Sequence, residues 1–245
     1  PVVVSVVAPV EHHVVPQNRL RPSLRELGVE RENQQDKFKL LRRVRGSGSD
    51  YLLLPYLTRF NSEQRAASVR SGFTSALSAA GGAYSDAVVV TLTTDAKRFD
   101  GLDAAVSNLY ESKSRLLSWL STDYRLGYRP DNLSVLEFTE SGLPHVHVVL
   151  FGLSWAVPQS VLASKWDDYG QGSVVDIRSA RRRGDDWLLH NDDGGTATLR
   201  DYLGKAIRGL QTLAGLPAGD VRDAVDAGDV SLWRQALYWA TERQY

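Results

Sequence analysis

The feature that most constrains the fold is a run of alternating strand-like and helix-like segments between residues 87 and 178. Residues 87–94 (AVVVTLTT) are rich in β-branched side chains, which predicts a buried strand. Residues 102–120 carry apolar residues at helical spacing, which predicts an amphipathic helix. Two strands, a helix and a strand are predicted next, at residues 133–138, 145–151, 158–169 and 172–178. This β-α-β-β-α-β order predicts an α+β, ferredoxin-like fold, with a central antiparallel sheet whose first and third strands lie side by side.

The segments that flank this series are predicted to extend the core. Residues 1–82 are interpreted as an N-terminal extension, partly irregular, with a helix near 62–80 that Asn61 or Ser62 would cap and Gly81-Gly82 would end. Residues 83–215 form the predicted core domain. Within it the polar residues 179–195 are predicted as a loop, followed by a helix over 196–213. Residues 216–245 are predicted as a C-terminal helical segment packed on or near the core.

Composition limits the kinds of site that the chain can build. There are no cysteines, so a metal site must use histidine, carboxylate or water. Such ligands point to a labile divalent ion rather than to structural zinc. The formal net charge of zero does not exclude a nucleic-acid partner, because local clusters matter more than the total.

The apolar segments do not indicate a membrane protein. No apolar run approaches the roughly 18 residues of a membrane-spanning helix. The apolar opening, residues 1–10, lacks the basic start and small-residue cleavage pattern of a signal peptide. We therefore expect a cytoplasmic location and no membrane partner.

Three residues of one predicted hairpin form a candidate metal centre. His145 and His147 are two apart on a strand, so both side chains lie on one face. A tight turn near Ser141-Gly142 would place Glu137 across from one of them. A carboxylate inside a strand is costly unless it is paired or bound to metal. The set suits Mg²⁺ or Mn²⁺. The alternative is a surface strand whose histidines bind nothing.

A second pair of residues forms a candidate nucleophile. Tyr202 and Lys205 are three apart in the predicted helix over 196–213, so they share one helix face. A phenol with a pKa near about 10 is a poor nucleophile until a nearby cation stabilises its phenolate. Lys205 can supply that charge or neutralise a phosphate. The alternative is an amphipathic helix with a packing tyrosine.

Taken together and in this order, the motifs resemble those of the HUH endonucleases, specifically the rolling-circle replication initiators (Rep proteins) of plasmids and viruses. The resemblance covers about residues 58–245 and includes finer likeness to archaeal Rep proteins, such as Thr58-Arg59-Phe60. The matching motifs are the strand Thr91-Leu92-Thr93-Thr94, the upstream Glu137, the pair His145 and His147, and Tyr202 followed by Lys205.

The resemblance implies a function. It implies a site-specific single-stranded DNA endonuclease and strand-transferase that initiates rolling-circle replication through a 5′-phosphotyrosine intermediate. Tyr202 and Lys205 would be catalytic, and Glu137, His145 and His147 would hold Mn²⁺ or Mg²⁺. The implied partners are single-stranded DNA at a replication origin and host replication proteins such as a helicase and a polymerase.

Further residues are predicted to contact DNA. Thr91 and Thr93 alternate onto one strand face, which can approach the metal or the DNA. A predicted basic loop could track phosphates, and three tryptophans could stack on bases. The basic residues are Arg178, Arg181, Arg182 and Arg183, and the tryptophans are Trp155, Trp166 and Trp187.

Other functions remain open from the sequence. A single-tyrosine HUH transposase shares the motif order but is usually shorter, and conjugative relaxases usually place the tyrosine before the histidines. A non-catalytic DNA-binding module with a vestigial metal site has no reason to keep all five site residues. A ferredoxin-like RNA binder would need aromatic residues on its central strands, and the first strand offers none.

Overall fold

A computed structural model describes residues 38–42, 51–55, 57–122, 125–139, 142–190, 195–204, 207 and 214. Two short strands, β1 (Phe38–Arg42) and β2 (Tyr51–Pro55), pair as an antiparallel hairpin. The further elements are α1 (Glu63–Ala83), β3 (Asp86–Thr93), a 3₁₀ turn (Ala96–Arg98), α2 (Leu102–Leu120), β4 (Asn132–Phe138), β5 (Pro144–Phe151), α3 (Gln159–Asp168), β6 (Val175–Arg183), β7 (Asp186–His190) and β8 (Thr196–Thr198). Helical residues 199–204, 207 and 214 are named α4. The predicted C-terminal segment 216–245 lies outside the described residues.

Within the described residues, the main sheet has six strands in the order β4-β5-β3-β6-β7-β8, and every neighbouring pair is antiparallel. The two central strands of the βαββαβ unit, β5 and β3, are its third and first strands in chain order. This arrangement confirms the predicted α+β, ferredoxin-like fold. The helix predicted over residues 102–120 is observed over the same residues.

The two faces of the sheet differ in chemistry. On β3, Val88, Val90 and Leu92 point to one face and are at most 2% exposed. Ala87, Val89 and Thr91 point to the opposite face, which α1 covers in part. The helices α2 and α3, which contact β5 and β6, therefore cover the all-apolar face. None of the helices in the described part of the chain is long and apolar enough to cross a membrane.

Helix α1 runs past the point where the sequence predicts its end. Its start agrees, since the Ser62 hydroxyl accepts a hydrogen bond from the backbone N–H of Arg65. At the other end the helix continues through Gly81 and Gly82 to Ala83. A Cβ at Gly81 would lie 3.4 Å from Nε of Arg182, so this glycine allows close packing on the sheet rather than ending the helix.

The prediction of a loop over residues 179–195 is wrong for most of its length, because much of this segment forms strands. Strand β6 continues to Arg183 and turns at Gly184, whose φ of 63° suits glycine, into β7. Trp187 and Leu189 are buried on β7. The segment looks polar because these strands near the sheet edge bury only one side chain in two.

The start of the predicted helix 196–213 is also different. Residues 196–198 are strand β8, and α4 follows it. The Thr198 hydroxyl accepts a hydrogen bond from the Asp201 N–H and donates one to the Asp201 carboxylate, at 3.0 and 2.9 Å. This reciprocal capping fixes where the helix begins.

Truncating Leu109 in the core tests the packing of α2 on the sheet. Leu109 is fully buried, so we expect Leu109→Ala to lower the free energy of unfolding by about 2–5 kcal/mol. Leu57, which is 44% exposed, is the matched control, and Leu57→Ala should cost far less. Urea unfolding followed by circular dichroism measures both. Equal losses in the two variants would contradict this packing.

Candidate active site

The β4–β5 hairpin brings the predicted metal ligands together. Glu137 lies directly opposite His145, and Val135 lies opposite His147. The turn is closed by the Gly142 N–H, which donates to the Thr139 carbonyl at 3.0 Å, and Gly142 itself has a φ of 83°. The prediction that Glu137 lies across from one of the histidines is confirmed.

The three side chains are close enough to share one ion. Oε2 of Glu137 lies 2.9 Å from Nε2 of His147 and 3.5 Å from Nε2 of His145. The imidazole rings are almost perpendicular, at 89°, with their centroids 4.9 Å apart. One ligand atom from each residue lies within 4.8 Å of the others, so the group could hold a metal ion.

Electrostatics favour the metal-binding protonation states of Glu137 and His147. Burial alone would raise the pKa of Glu137, but hydrogen bonds with His145 and His147 outweigh it and hold that pKa far below its usual range. Burial lowers the pKa of His147, although the Glu137 carboxylate partly opposes this shift. An ionised carboxylate and a neutral imidazole are the ligand forms of these side chains.

The remaining imidazole nitrogens differ in their surroundings. Nδ1 of His147 lies 2.9 Å from Oγ1 of Thr91, which fixes the ring orientation and leaves Nε2 directed at Glu137. Such a hydrogen bond on the far nitrogen is typical of metal-bound histidines. Nδ1 of His145 is buried and makes no hydrogen bond within the described part of the chain. The hydrogen bond with Thr91 therefore fits a metal-binding role for His147.

Tyr202 reaches this group from α4. Leu199, Leu203 and Ile207 recur at helical spacing and are buried, so they fix α4 to the protein core. Tyr202, next to this stripe, then points its ring at His147, with centroids 5.0 Å apart and planes at 69°. The structure thus brings the predicted nucleophile to the predicted metal ligands. Lys205 lies outside the described residues.

The groups around Tyr202 shift its pKa in opposite directions. Burial raises the pKa of Tyr202 above its ordinary value, and the nearby carboxylates of Asp176 and Glu137 add to that shift. A hydrogen bond with Thr91 and the charge of Arg178 act in the other direction. The raised pKa keeps the resting side chain a neutral phenol, so attack on an electrophile requires loss of its proton.

Asp176 is a residue of this site that the sequence reasoning missed. It lies opposite Thr91 in the β3–β6 register, and its Oδ2 accepts a hydrogen bond from Nε of Arg178 at 2.6 Å. The Arg178 guanidinium lies 6.0 Å from the centre of the Tyr202 ring. Alternation on a strand over 172–178 could have placed Asp176 and Arg178 on one face. Nothing local in the sequence indicates that Thr91 is their neighbour.

Of the other predicted DNA contacts, Thr93 lies at this site, and the arginines that follow Arg178 on β6 do not. Thr93 lies opposite His145 on the same face. The residues Arg181, Arg182 and Arg183 lie at the far end of the strand β6 and not on a loop. The last of them is about 23 Å along the strand from Asp176. Arg181 there pairs with Asp86 at 3.2 Å.

The three tryptophans considered for base stacking differ in position. Trp166 and Trp187 are at most 2% exposed and belong to the core. The Trp166 indole N–H donates to the Thr93 carbonyl at 2.9 Å, so that ring braces the end of β3. Trp155 is 63% exposed. Of the three, Trp155 is therefore the one with a face open to a ligand.

Removing one ligand tests the metal centre. Because the three donors act together, we expect His145→Ala and Glu137→Gln each to weaken Mn²⁺ binding at least about tenfold. His190→Ala is the matched control, because His190 is exposed on β7 and outside the group. Isothermal titration with Mn²⁺ measures the affinities. Binding that is equally strong in wild type and His145→Ala would show that the ion sits elsewhere.

The known proteins that this chain resembles are described without an activity. Residues 124–236, a little under half of the chain, match a family model described as "Domain of unknown function (DUF8148) C-terminal domain". A protein of Halorubrum pleomorphic virus 1, described as "Uncharacterized protein 1", is 34% identical over 209 residues, which cover 79% of this chain. The chain spans about two fifths of that relative, 41% of its length. No solved structure shows a significant match to the chain.

Proposed function

We propose that this protein nicks and rejoins single-stranded DNA at a replication origin, as the first step of rolling-circle replication of a plasmid or virus. One observation carries the proposal: the Tyr202 ring lies 5.0 Å from the ring of His147, inside the group that could hold a metal. The similarity to a virus protein supports a viral setting. The motif resemblance, which also suggests a helicase and a polymerase as partners, supports the chemistry.

The proposed ion is Mn²⁺ or Mg²⁺. Histidine nitrogen and carboxylate oxygen are the donors present, and no cysteine is available to favour a softer ion. Ligands at about 2.1 Å around a six-coordinate ion lie about 3 Å from their neighbours. The separations of 2.9 and 3.5 Å in the hairpin are close to that value. Such an ion, when bound, polarises the scissile phosphate as a Lewis acid.

The proposed reaction exchanges one phosphodiester for another. The Tyr202 oxygen attacks phosphorus and its proton passes to water, while the bond to the 3′ oxygen breaks and that oxygen takes up a proton. The strand then ends in a free 3′ hydroxyl, and its 5′ phosphate is esterified to Tyr202. Attack by a 3′ hydroxyl on this phosphotyrosine reverses the exchange, so rejoining needs no nucleoside triphosphate.

Positive charge beside Tyr202 is required for this exchange. The departing proton leaves an anionic oxygen next to Glu137, and the entering phosphate is itself anionic. Among the residues that the structure describes, Arg178 is the cation near Tyr202, and a hydrogen bond to Asp176 holds its guanidinium in place. A fixed guanidinium stabilises developing negative charge more than a mobile one, because it needs no reorientation during the reaction.

A covalent-adduct assay tests the proposed activity. Labelled single-stranded origin DNA and Mn²⁺ are expected to give a protein–DNA band in denaturing gels with wild type, and none with Tyr202→Phe, His147→Ala or EDTA. Tyr128→Phe is the matched control, because Tyr128 is half exposed and its loss should leave the band unchanged. An adduct in Tyr202→Phe would move the nucleophile to another tyrosine. No adduct on any origin-derived or circular single strand would favour a DNA-binding module.

The role of Arg178 can be measured in the same assay. We expect Arg178→Gln to slow adduct formation about tenfold to a hundredfold, because a fixed cation beside the nucleophile is lost. Asp176→Asn should give a smaller loss, since the guanidinium remains but is no longer held. Mn²⁺ affinity should stay unchanged in both. The control is Arg181→Gln, which removes a largely exposed arginine of the same strand. An equal loss of rate in this control would show that Arg178 acts only as a general phosphate contact.

A further inference from the structure

A cavity of about 370 Å³ lies between α1, the edge strand β4 and α4, next to the candidate active site. We call it the α1–β4 cavity. Its volume is in the range of small-ligand sites. Phe73 of α1, Val135 of β4 and Ile207 of α4 are among the residues that line it.

The walls of the α1–β4 cavity suit a flat apolar ring. Phe73 and Val69 line it from α1, and Leu133 and Val135 line it from β4. The α1 side is opened by small residues, and a Cβ built at Gly72 would meet no atom within 4 Å. Four consecutive residues of β4 line the cavity, so it runs along the outer side of that strand, where the described part of the chain adds no further strand.

The cavity also carries a nearly buried cation. Arg59 is only 6% exposed, and its guanidinium lies 4.7 Å from the centre of the Phe60 ring. The turn that holds it is tight, because the Thr58 N–H donates to Oδ1 of Asn61 at 2.7 Å. A guanidinium in an apolar wall favours a ligand that combines a ring with hydrogen-bond acceptors or negative charge. Asn132 and Ser134 add further polar groups.

Position links the α1–β4 cavity to the active site. Val135 lies opposite His147, and it is two residues before Glu137 on the same face of β4. Two residues of a strand span only about 7 Å. A nucleotide next to a phosphate that is bound at the candidate metal centre can therefore place its base in the cavity.

We propose that the α1–β4 cavity takes the unstacked base of one nucleotide that flanks the cleaved phosphate, and so contributes to the choice of sequence. The inference rests on the proposed function. Apolar and aromatic side chains would contact the two faces of the base, and Arg59 and Asn132 would meet acceptors on its polar edge. Single-stranded DNA supplies such bases without the cost of unpairing a duplex.

The first test needs no cleavage. The four deoxynucleoside 5′-monophosphates are titrated one at a time into the ¹⁵N-labelled full chain, and amide shifts are followed by NMR. We expect at least one to shift amides of residues 132–135 and 72, and we expect Gly72→Leu, which fills the cavity, to weaken that binding at least tenfold. Gly82→Leu is the matched control, because it lies on the same helix, has equal space for a Cβ and does not line the cavity. Melting temperatures at or above that of wild type in both variants would exclude unfolding.

The second test uses cleavage. Substrates with a single abasic position are scanned around the nick, and wild type is expected to lose at least tenfold in adduct rate at one flanking position. The variant Gly72→Leu should form the adduct slowly on the intact strand, and an abasic site at that position should not lower its rate further. Nucleotide binding at the cavity without any adduct would count against the proposed function but not against the base site. No shifts at the cavity, together with wild-type adduct rates in Gly72→Leu, would overturn the inference.

Discussion

The pairing of Glu137 with His145 across the β4–β5 hairpin is the interaction on which the candidate site depends. A slip of one residue would turn Glu137 to the other face of the sheet and away from both histidines. It would also move Leu136 and Phe138, each 1% exposed, out of the core. The apolar residues that stabilise the sheet therefore also hold the carboxylate in place, and no separate device is needed to set the geometry.

The face that carries the ligands is divided along the strands. Toward one end its residues are apolar, such as Val89 and Val149, and α1 covers this half. Toward the other end they are polar, such as Thr91 and His147, and α4 brings Tyr202 there. Burying ionisable groups at the polar end costs free energy. The burial of apolar side chains at the other end and on the opposite face must offset that cost. The α1–β4 cavity lies where the two halves meet.

How far the sequence predicts this structure depends on the range of each contact. The strands β3 and β5 and the helix α2 are long and periodic, and Glu137 is joined to its histidines by a short turn, so local patterns suffice. The pairing of Thr91 with Asp176 joins strands that are distant in the chain, and no local pattern encodes it. The strands β7 and β8 are missed for the same reason. Trp187 of β7 is buried because α1 packs on it, and this contact is between residues distant in the chain.

The ion pair beside Tyr202 has two opposite effects on the phenol. The Asp176 carboxylate raises the pKa of Tyr202, while the guanidinium that it holds, Arg178, lowers it. At rest the two charges act in opposite directions, and burial leaves the phenol protonated. If Tyr202 is the nucleophile, a held Arg178 matters most once a phosphate enters, because it then stabilises the anion that forms during attack without having to move. In that role the arrangement would keep the tyrosine neutral in the absence of DNA, although a carboxylate stands close to a residue that would have to lose a proton.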